Sequence, residues 1–195
     1  MWDMAKREEG AKGLRGGEAR FAAYLDGIAA VLGHAGRAAS ARAYCTGLLP
    51  GERKSIEPIA ARIAPDRVQA RHQSLHHVVA KAAWDDRAVL AAVRERALPA
   101  IERHGPVRHW IVDDTAFPKQ GRHSVGVARQ YCGQLGKQDN CQVAVSLSVA
   151  NDRASLPIAY RLYLPETWAE DPERRAKAGV PEGIGFEAKP GIAPA

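Results

Sequence analysis

The hydrophobic pattern of this chain changes period once, at Gly105-Pro106, and that single change limits the folds open to it. Before it, apolar residues recur at steps of three and four. Phe21, Tyr24, Leu25, Ile28, Val31 and Leu32 form one such stripe, the face of a helix that packs on a neighbour. After it, short runs alternate apolar and polar residues and are separated by turn formers, the period of half-buried strands. Helices first and strands afterwards, joined by short loops, give an α+β chain in which consecutive strands pair antiparallel.

The punctuation fills in the elements. Gly33 to Gly36 ends the first helix, and a second runs from Arg37 to Leu49 before Pro50-Gly51. Ser55 reads as the N-cap of a short helix through Ile56, Ile59, Ala60 and Ile63, with Pro58 in its first turn. Asp66 reads as the cap of a helix through Val79, and Asp85 or Asp86 as the start of one through Leu98. The expected strands are 107–113, 124–132, 141–150 and 156–164, followed by a helix over 170–178 that Gly179 stops and then a loose Pro/Gly tail. Residues 1–16 hold little to bury and read as a disordered tail. The domain reading is therefore 1–16 tail, 17–105 helical region and 106–195 strand-rich region.

Charge indicates a partner class. The chain carries a formal +6, with 17 Lys and Arg against 12 Asp and Glu up to residue 105 and 11 against 10 after it. A basic surplus of this kind favours phosphate backbones through counterion release, although many soluble domains are mildly basic. Within the helical region, a short helix, a tight break and a longer helix carrying Arg67, Arg71, His72 and Gln73 resemble a helix-turn-helix, with Arg67 and Arg71 as DNA contacts. Plain bundle packing is the alternative. His76 and His77 are adjacent on a helix, point in different directions and make poor joint metal ligands. Cys45, Cys132 and Cys141 have no zinc-like spacing; Cys132 ends one expected strand, Cys141 begins the next, and both read as small apolar packing residues. No apolar run is long enough to span a bilayer, and a cytoplasmic location is expected.

The stretch Trp110 to Gly121 carries the chemistry. Ile111 and Val112 read as a buried strand that ends in two adjacent carboxylates, Asp113 and Asp114, before Pro118, Lys119 and Gly121 break it into a turn. Carboxylates at a strand end meet solvent on a rigid backbone and suit a hard cation such as Mg²⁺. Asp-Asp-Thr can equally be a turn, because Asp and Thr side chains bond their own backbone.

The run from Asp113 to Leu147, with Asp113-Asp114-Thr115-Ala116-Phe117-Pro118-Lys119-Gln120-Gly121 at its head, closely resembles DDE-type transposases of bacterial insertion sequences. The resemblance extends from about Tyr44 to about Pro190, and residues 51–60 are a second recognisable segment. It implies a ribonuclease H-like mixed sheet whose first strands are present here, with the first catalytic acid closing the first strand. It also implies an Asp, Asp, Glu set holding Mg²⁺ ions that activate a nucleophile at a DNA phosphodiester. On this pattern Asp113 is the catalytic residue. Asp113 and Asp114 are the metal candidates, with Asp114 pointing to the opposite side if the strand continues and the reverse assignment left open. Lys119, Arg122, His123 and Arg129 follow closely and fit phosphate contacts, with Lys119, Arg122 and Arg129 as the expected nucleic-acid-binding residues; solvated loop cations are the alternative. DNA at transposon ends is the implied partner, with a homo-oligomer as a further expectation.

In the family's order the second and third acids fall beyond residue 190, so the expectation is a C-terminally truncated transposase with an incomplete active site. Asp139 and Asp152 fall in expected turns and Glu170 near an expected helix start, local roles that leave none as a substitute ligand. A phosphatase of the haloacid dehalogenase type fits poorly, because its acids are spaced rather than adjacent. The other rivals are a non-catalytic DNA-binding fragment that inhibits transposition and a remnant that neither binds nor cuts.

Overall fold

In a computed structural model, residues 2–50 and 53–192 are described, with side chains from Gly16 onward. The chain divides into two compact units, 1–96 and 97–195. The α+β reading holds: five helices come first, and a four-stranded antiparallel sheet follows.

The helices are α1 (Trp2–Ala30), α2 (Ala35–Leu48), α3 (Ile56–Ile63), α4 (Val68–Ala80) and α5 (Asp86–Glu102), with a 3-10 turn at Pro65–Arg67. Helix α1 begins at Trp2, so the stretch that composition marks as a tail is helical; Lys, Arg, Glu and Ala are good helix formers. Ser55 takes the N-cap position of α3 in extended conformation, but its side chain makes no capping bond. Asp85 caps α5, accepting the N–H groups of Arg87 at 2.9 Å and Ala88 at 3.3 Å. In the first unit, Ile59, Ala60 and Leu75 are fully buried among Tyr44, Leu48, Ile63 and Val68. Gly47 makes that packing possible, since a Cβ there would lie 2.3 Å from Ile59 Cγ2.

The composition break at Gly105-Pro106 marks the end of the helical stretch, whereas the compact units part at Arg96, inside α5. The last turns of α5 are tied to the sheet's own turn: Asn151 Nδ2 donates to the carbonyls of Ile101 at 3.0 Å and Gly105 at 2.7 Å.

The sheet consists of β1 (His109–Pro118), β2 (Ala128–Cys132), β3 (Lys137–Ala150) and β4 (Ser155–Leu162). Strand β3 is central. It pairs along one edge with β1, from Cys141↔Pro118 to Ala150↔His109. At Cys141 it also pairs with Ala128 of β2, and over 144–150 with β4. A strand has two edges, so β2 and β4 lie end to end along the edge opposite β1. Cys141, Val143, Val145, Leu147 and Val149 alternate into the interior, while Gln142, Ala144, Ser146 and Ser148 face the other way, half-buried. Cys132 and Cys141 are fully buried against Val143 and Ala116, as packing residues, and burial pushes the Cys141 thiol up.

Beyond β4, short helices α6 (Glu166–Ala169), α7 (Pro172–Ala178) and α8 (Lys189–Ile192) follow. Gly179 ends α7 with φ of 69°. Among the described residues no helix is long and apolar enough to cross a membrane.

Candidate functional site: two acids on a strand and an arginine cleft

The acids do not end their strand. Asp113 and Asp114 sit in the middle of β1, which continues through Thr115 and Phe117 to Pro118. The turn preference of Asp-Asp-Thr is overridden by an unbroken ladder to β3, and Thr and Phe are good strand residues. Proline ends the strand where its missing N–H costs least, because β1 is an edge.

Mid-strand placement fixes where each carboxylate points. Residues paired directly across an antiparallel ladder share a face. Asp113 pairs with Ser146, which pairs with Tyr160, so this row lies on the polar face of the sheet. Asp114 pairs with Val145, which pairs with Arg161, so it shares the face of Val143 and Val145. Asp113 is exposed, and one of its carboxylate oxygens accepts the Asp114 N–H at 2.8 Å.

Asp114 is engaged from the C-terminal side. Lys189 Nζ lies 2.6 Å from its Oδ2. Arg161, in the same row, pairs with Glu187 at 2.9 Å. Phe186 meets the Tyr163 ring edge-on with centroids 6.3 Å apart, and Ile192 is buried. The Pro/Gly-rich tail is therefore not loose over 186–192: two ion pairs and two apolar contacts lay it across Asp114's face.

These facts decide how far the acids fit a metal. A divalent ion that prefers oxygen wants several ligands converging on one point. Asp113 and Asp114 point to opposite faces, Asp114 already holds an ammonium, and no group of three His, Cys, Asp or Glu side chains converges among the described residues. The residues described here do not by themselves fit a resident Mg²⁺ ion.

A second site is built on the other side of β3. Residues 119–127 connect β1 to β2 and are held down by β3's amides. Asn140 Nδ2 donates to the carbonyls of Lys119 at 2.6 Å and Gly121 at 2.9 Å, and Gln142 Nε2 donates to Val125 at 2.5 Å. Gly126 completes the fit with φ of 74°; a Cβ there would lie 2.6 Å from the Tyr163 carbonyl, so only glycine serves. Trp168 of α6 is buried under this loop with Val127 and Leu164, and its indole N–H donates to the Val127 carbonyl at 2.8 Å.

Arg122 from the loop, Arg129 from β2 and Arg174 from α7 then line one open cleft of about 500 Å³, with Gln120, Asn140 and Thr167. Asp139 is the acid in its lining. It lies on β3 rather than in a turn, and pairs with Lys137 at 3.2 Å. The Asn140 N–H, then Lys137, hold its carboxyl below the ordinary Asp value.

The residues expected to contact nucleic acid therefore part company. Arg122 and Arg129 meet in the cleft, while Lys119 is half-buried beside it and spends its backbone on Asn140. Arg67 and Arg71 belong to the other unit. Arg67 is exposed at the 3-10 turn, and Arg71 is half-buried on α4, whose Leu75 and Val78 face the core. Arg174 is the residue the sequence did not single out. It stands in an Arg-Arg pair whose second member, Arg175, is structural: Arg175 donates to the carbonyls of Ala169, Pro181, Glu182 and Ile184. Nothing in the local pattern separates the two.

Comparison with known proteins bears on what these surfaces serve. A family model described as DDE superfamily endonuclease matches residues 28–195. Over 114 residues the chain is 31% identical to the probable transposase for insertion sequence element IS701 of Microchaete diplosiphon, an overlap covering 58% of this chain and 28% of that relative. The chain thus spans less than a third of the relative it matches. No solved structure matches.

Proposed function

The chain belongs to the DDE superfamily of endonucleases, and on that footing we propose that it is part of an insertion-sequence transposase that acts on DNA phosphodiesters. The family match over 28–195 carries the reading, and a transposase relative at 31% identity supports it. Asp113 is the catalytic carboxylate this chain contributes: it is exposed, it lies on the polar face, and no lysine engages it among the described residues. Asp114 anchors Lys189 through its carboxylate rather than acting as a joint ligand. Arg122, Arg129 and Lys119 in the sheet unit, and Arg67 and Arg71 in the helical unit, are the cations proposed to meet DNA.

The active site of this segment is incomplete. That proposal rests on the divergence of the two acids, the lack of a converging donor set among the described residues, and the 28% share of the relative that the overlap covers. Its role by itself is then to bind DNA without cutting it, which agrees with the inhibitory-fragment alternative. A supercoiled-plasmid nicking assay with Mg²⁺ tests this. Wild type and Asp113→Asn are expected to nick equally, at background. Metal-dependent nicking by wild type that Asp113→Asn abolishes would show a complete site and overturn the proposal.

A further inference from the structure

We propose that the Arg122–Arg129–Arg174 cleft is a seat for the sugar-phosphate backbone of DNA, with Arg174 as its preorganised centre; this rests on the DNA reading above.

Three elements deliver arginines to one concavity: the loop after β1, strand β2 that follows it, and the sequence-distant helix α7. Arg174 is held in place before any ligand arrives. Its guanidinium lies 3.7 Å from the centroid of the buried Trp168 ring, and its Nη2 donates to the Arg122 carbonyl at 2.8 Å. Stacking on an indole face fixes the plane of the fork while leaving the remaining N–H groups to donate. Arg122 and Arg129 are exposed, and no carboxylate lies within ion-pair distance of either among the described residues. Three arginines line the cleft against one lining acid, Asp139, which is already paired with Lys137, so the cleft favours an anion that can span the arginines.

The form of that anion follows from the lining. The basic track does not stop at the cleft. Arg122 and Arg174 also wall two adjoining depressions, where His123 and Lys177 join them, and Asp171 and Glu173 line one of the two. Asp171 is occupied, accepting the Arg174 backbone N–H at 2.8 Å as the cap of α7. An extended row of cations suits successive phosphates of one strand better than a single small anion. Base reading is not provided for. Among the described residues no aromatic side chain lines the main cleft, and the Trp168 ring, which lines one adjoining depression, is covered by Arg174. Phosphate contacts without base contacts position a duplex and carry no sequence preference.

The test uses the whole chain and two fluorescein-labelled 30-base-pair duplexes, one of arbitrary sequence and one scrambled, read by anisotropy from low to moderate salt. Arg122→Gln/Arg129→Gln is expected to weaken both duplexes equally, by about tenfold or more at low salt. It should also flatten the salt dependence by about two phosphate contacts, each worth roughly 0.9 in slope. Arg174→Gln should act in the same direction, and Arg67→Gln/Arg71→Gln on the other unit should leave this component in place. Wild-type binding that Arg122→Gln/Arg129→Gln leaves untouched would overturn the cleft while the DNA reading stood. No binding of either duplex by wild type at low salt would remove both. Inorganic phosphate, followed by Trp168 fluorescence with Trp168→Phe as the blank, separates the sources. Saturation by millimolar phosphate without duplex binding would make the cleft a small-anion site and overturn the proposal. Matching thermal melts for the exposed-residue variant keep a folding defect from being read as lost binding.

Discussion

The two charged regions of the sheet unit were assembled by opposite routes. Asp113 and Asp114 are neighbours in sequence, and the strand's two-residue alternation sends them to opposite faces. Arg122, Arg129 and Arg174 are up to fifty-two positions apart, and the fold brings them to one concavity. One acid is neutralised by Lys189 at 2.6 Å, whereas one arginine is braced by a tryptophan and left free to donate. Adjacency along a chain is thus a poor guide to shared chemistry once the local structure is extended. Convergence depends on what holds the loops, and here the side-chain amides of Asn140 and Gln142 and the indole of Trp168 do so.

This contrast can be broken from the cleft side with the largest effect. Trp168 is 1% exposed and carries both the loop's indole hydrogen bond and Arg174. Trp168→Ala is expected to cost about 4 kcal/mol, the usual scale for a buried large-to-small change, read from urea melts. Hydrogen exchange should show the loss in residues 119–132 and 164–178, with the β1–β3 ladder still protected. A uniform loss across β1 and β3 would mean that the two regions are not separable.

The acid side should respond far less. Lys189 and Asp114 have side-chain exposures of 33% and 46%, so solvent screens their attraction. Lys189→Ala is expected to change stability by less than about 1 kcal/mol. Exchange of 186–192 should nonetheless rise, because the tail loses one of its two ion pairs. An unchanged exchange pattern would show that the Arg161–Glu187 pair, Phe186 and Ile192 hold the segment without Lys189.

The same physics explains what the sequence disclosed. The order of helices and strands, the start of α3 after Ser55, the start of α5 at Asp85 or Asp86 and the stop at Gly179 are legible because they depend on local pattern and backbone preference, whereas Asp66, which reads as a cap, lies inside the 3-10 turn before α4. Arg122 and Arg129 were legible as cations in a matched stretch. The end of β1 is not legible, because Asp-Asp-Thr-Ala-Phe-Pro has turn chemistry in isolation and only pairing with Gln142 to Ser146 extends the strand. Asp139 was misplaced for the same reason: Gln-Asp-Asn looks like a loop until β2 pairs with it. Arg174 was invisible because its role depends on Trp168 and Arg122, and neither contact leaves a mark on the local pattern of residues 170–178. The anchored tail went unread because Phe186, Glu187 and Lys189 each find a partner on β1 or β4, or just after β4, far back in the chain.

The most direct test of the divergence of the two acids is a Mn²⁺ titration of the purified chain followed by electron paramagnetic resonance, with Asp113→Asn and Asp114→Asn alongside wild type. Carboxylates on opposite faces predict no site tighter than about 1 mM, and any weak binding should be sensitive to Asp113→Asn alone. Stoichiometric micromolar binding abolished by either substitution would mean that both carboxylates grip one ion, and would contradict the account.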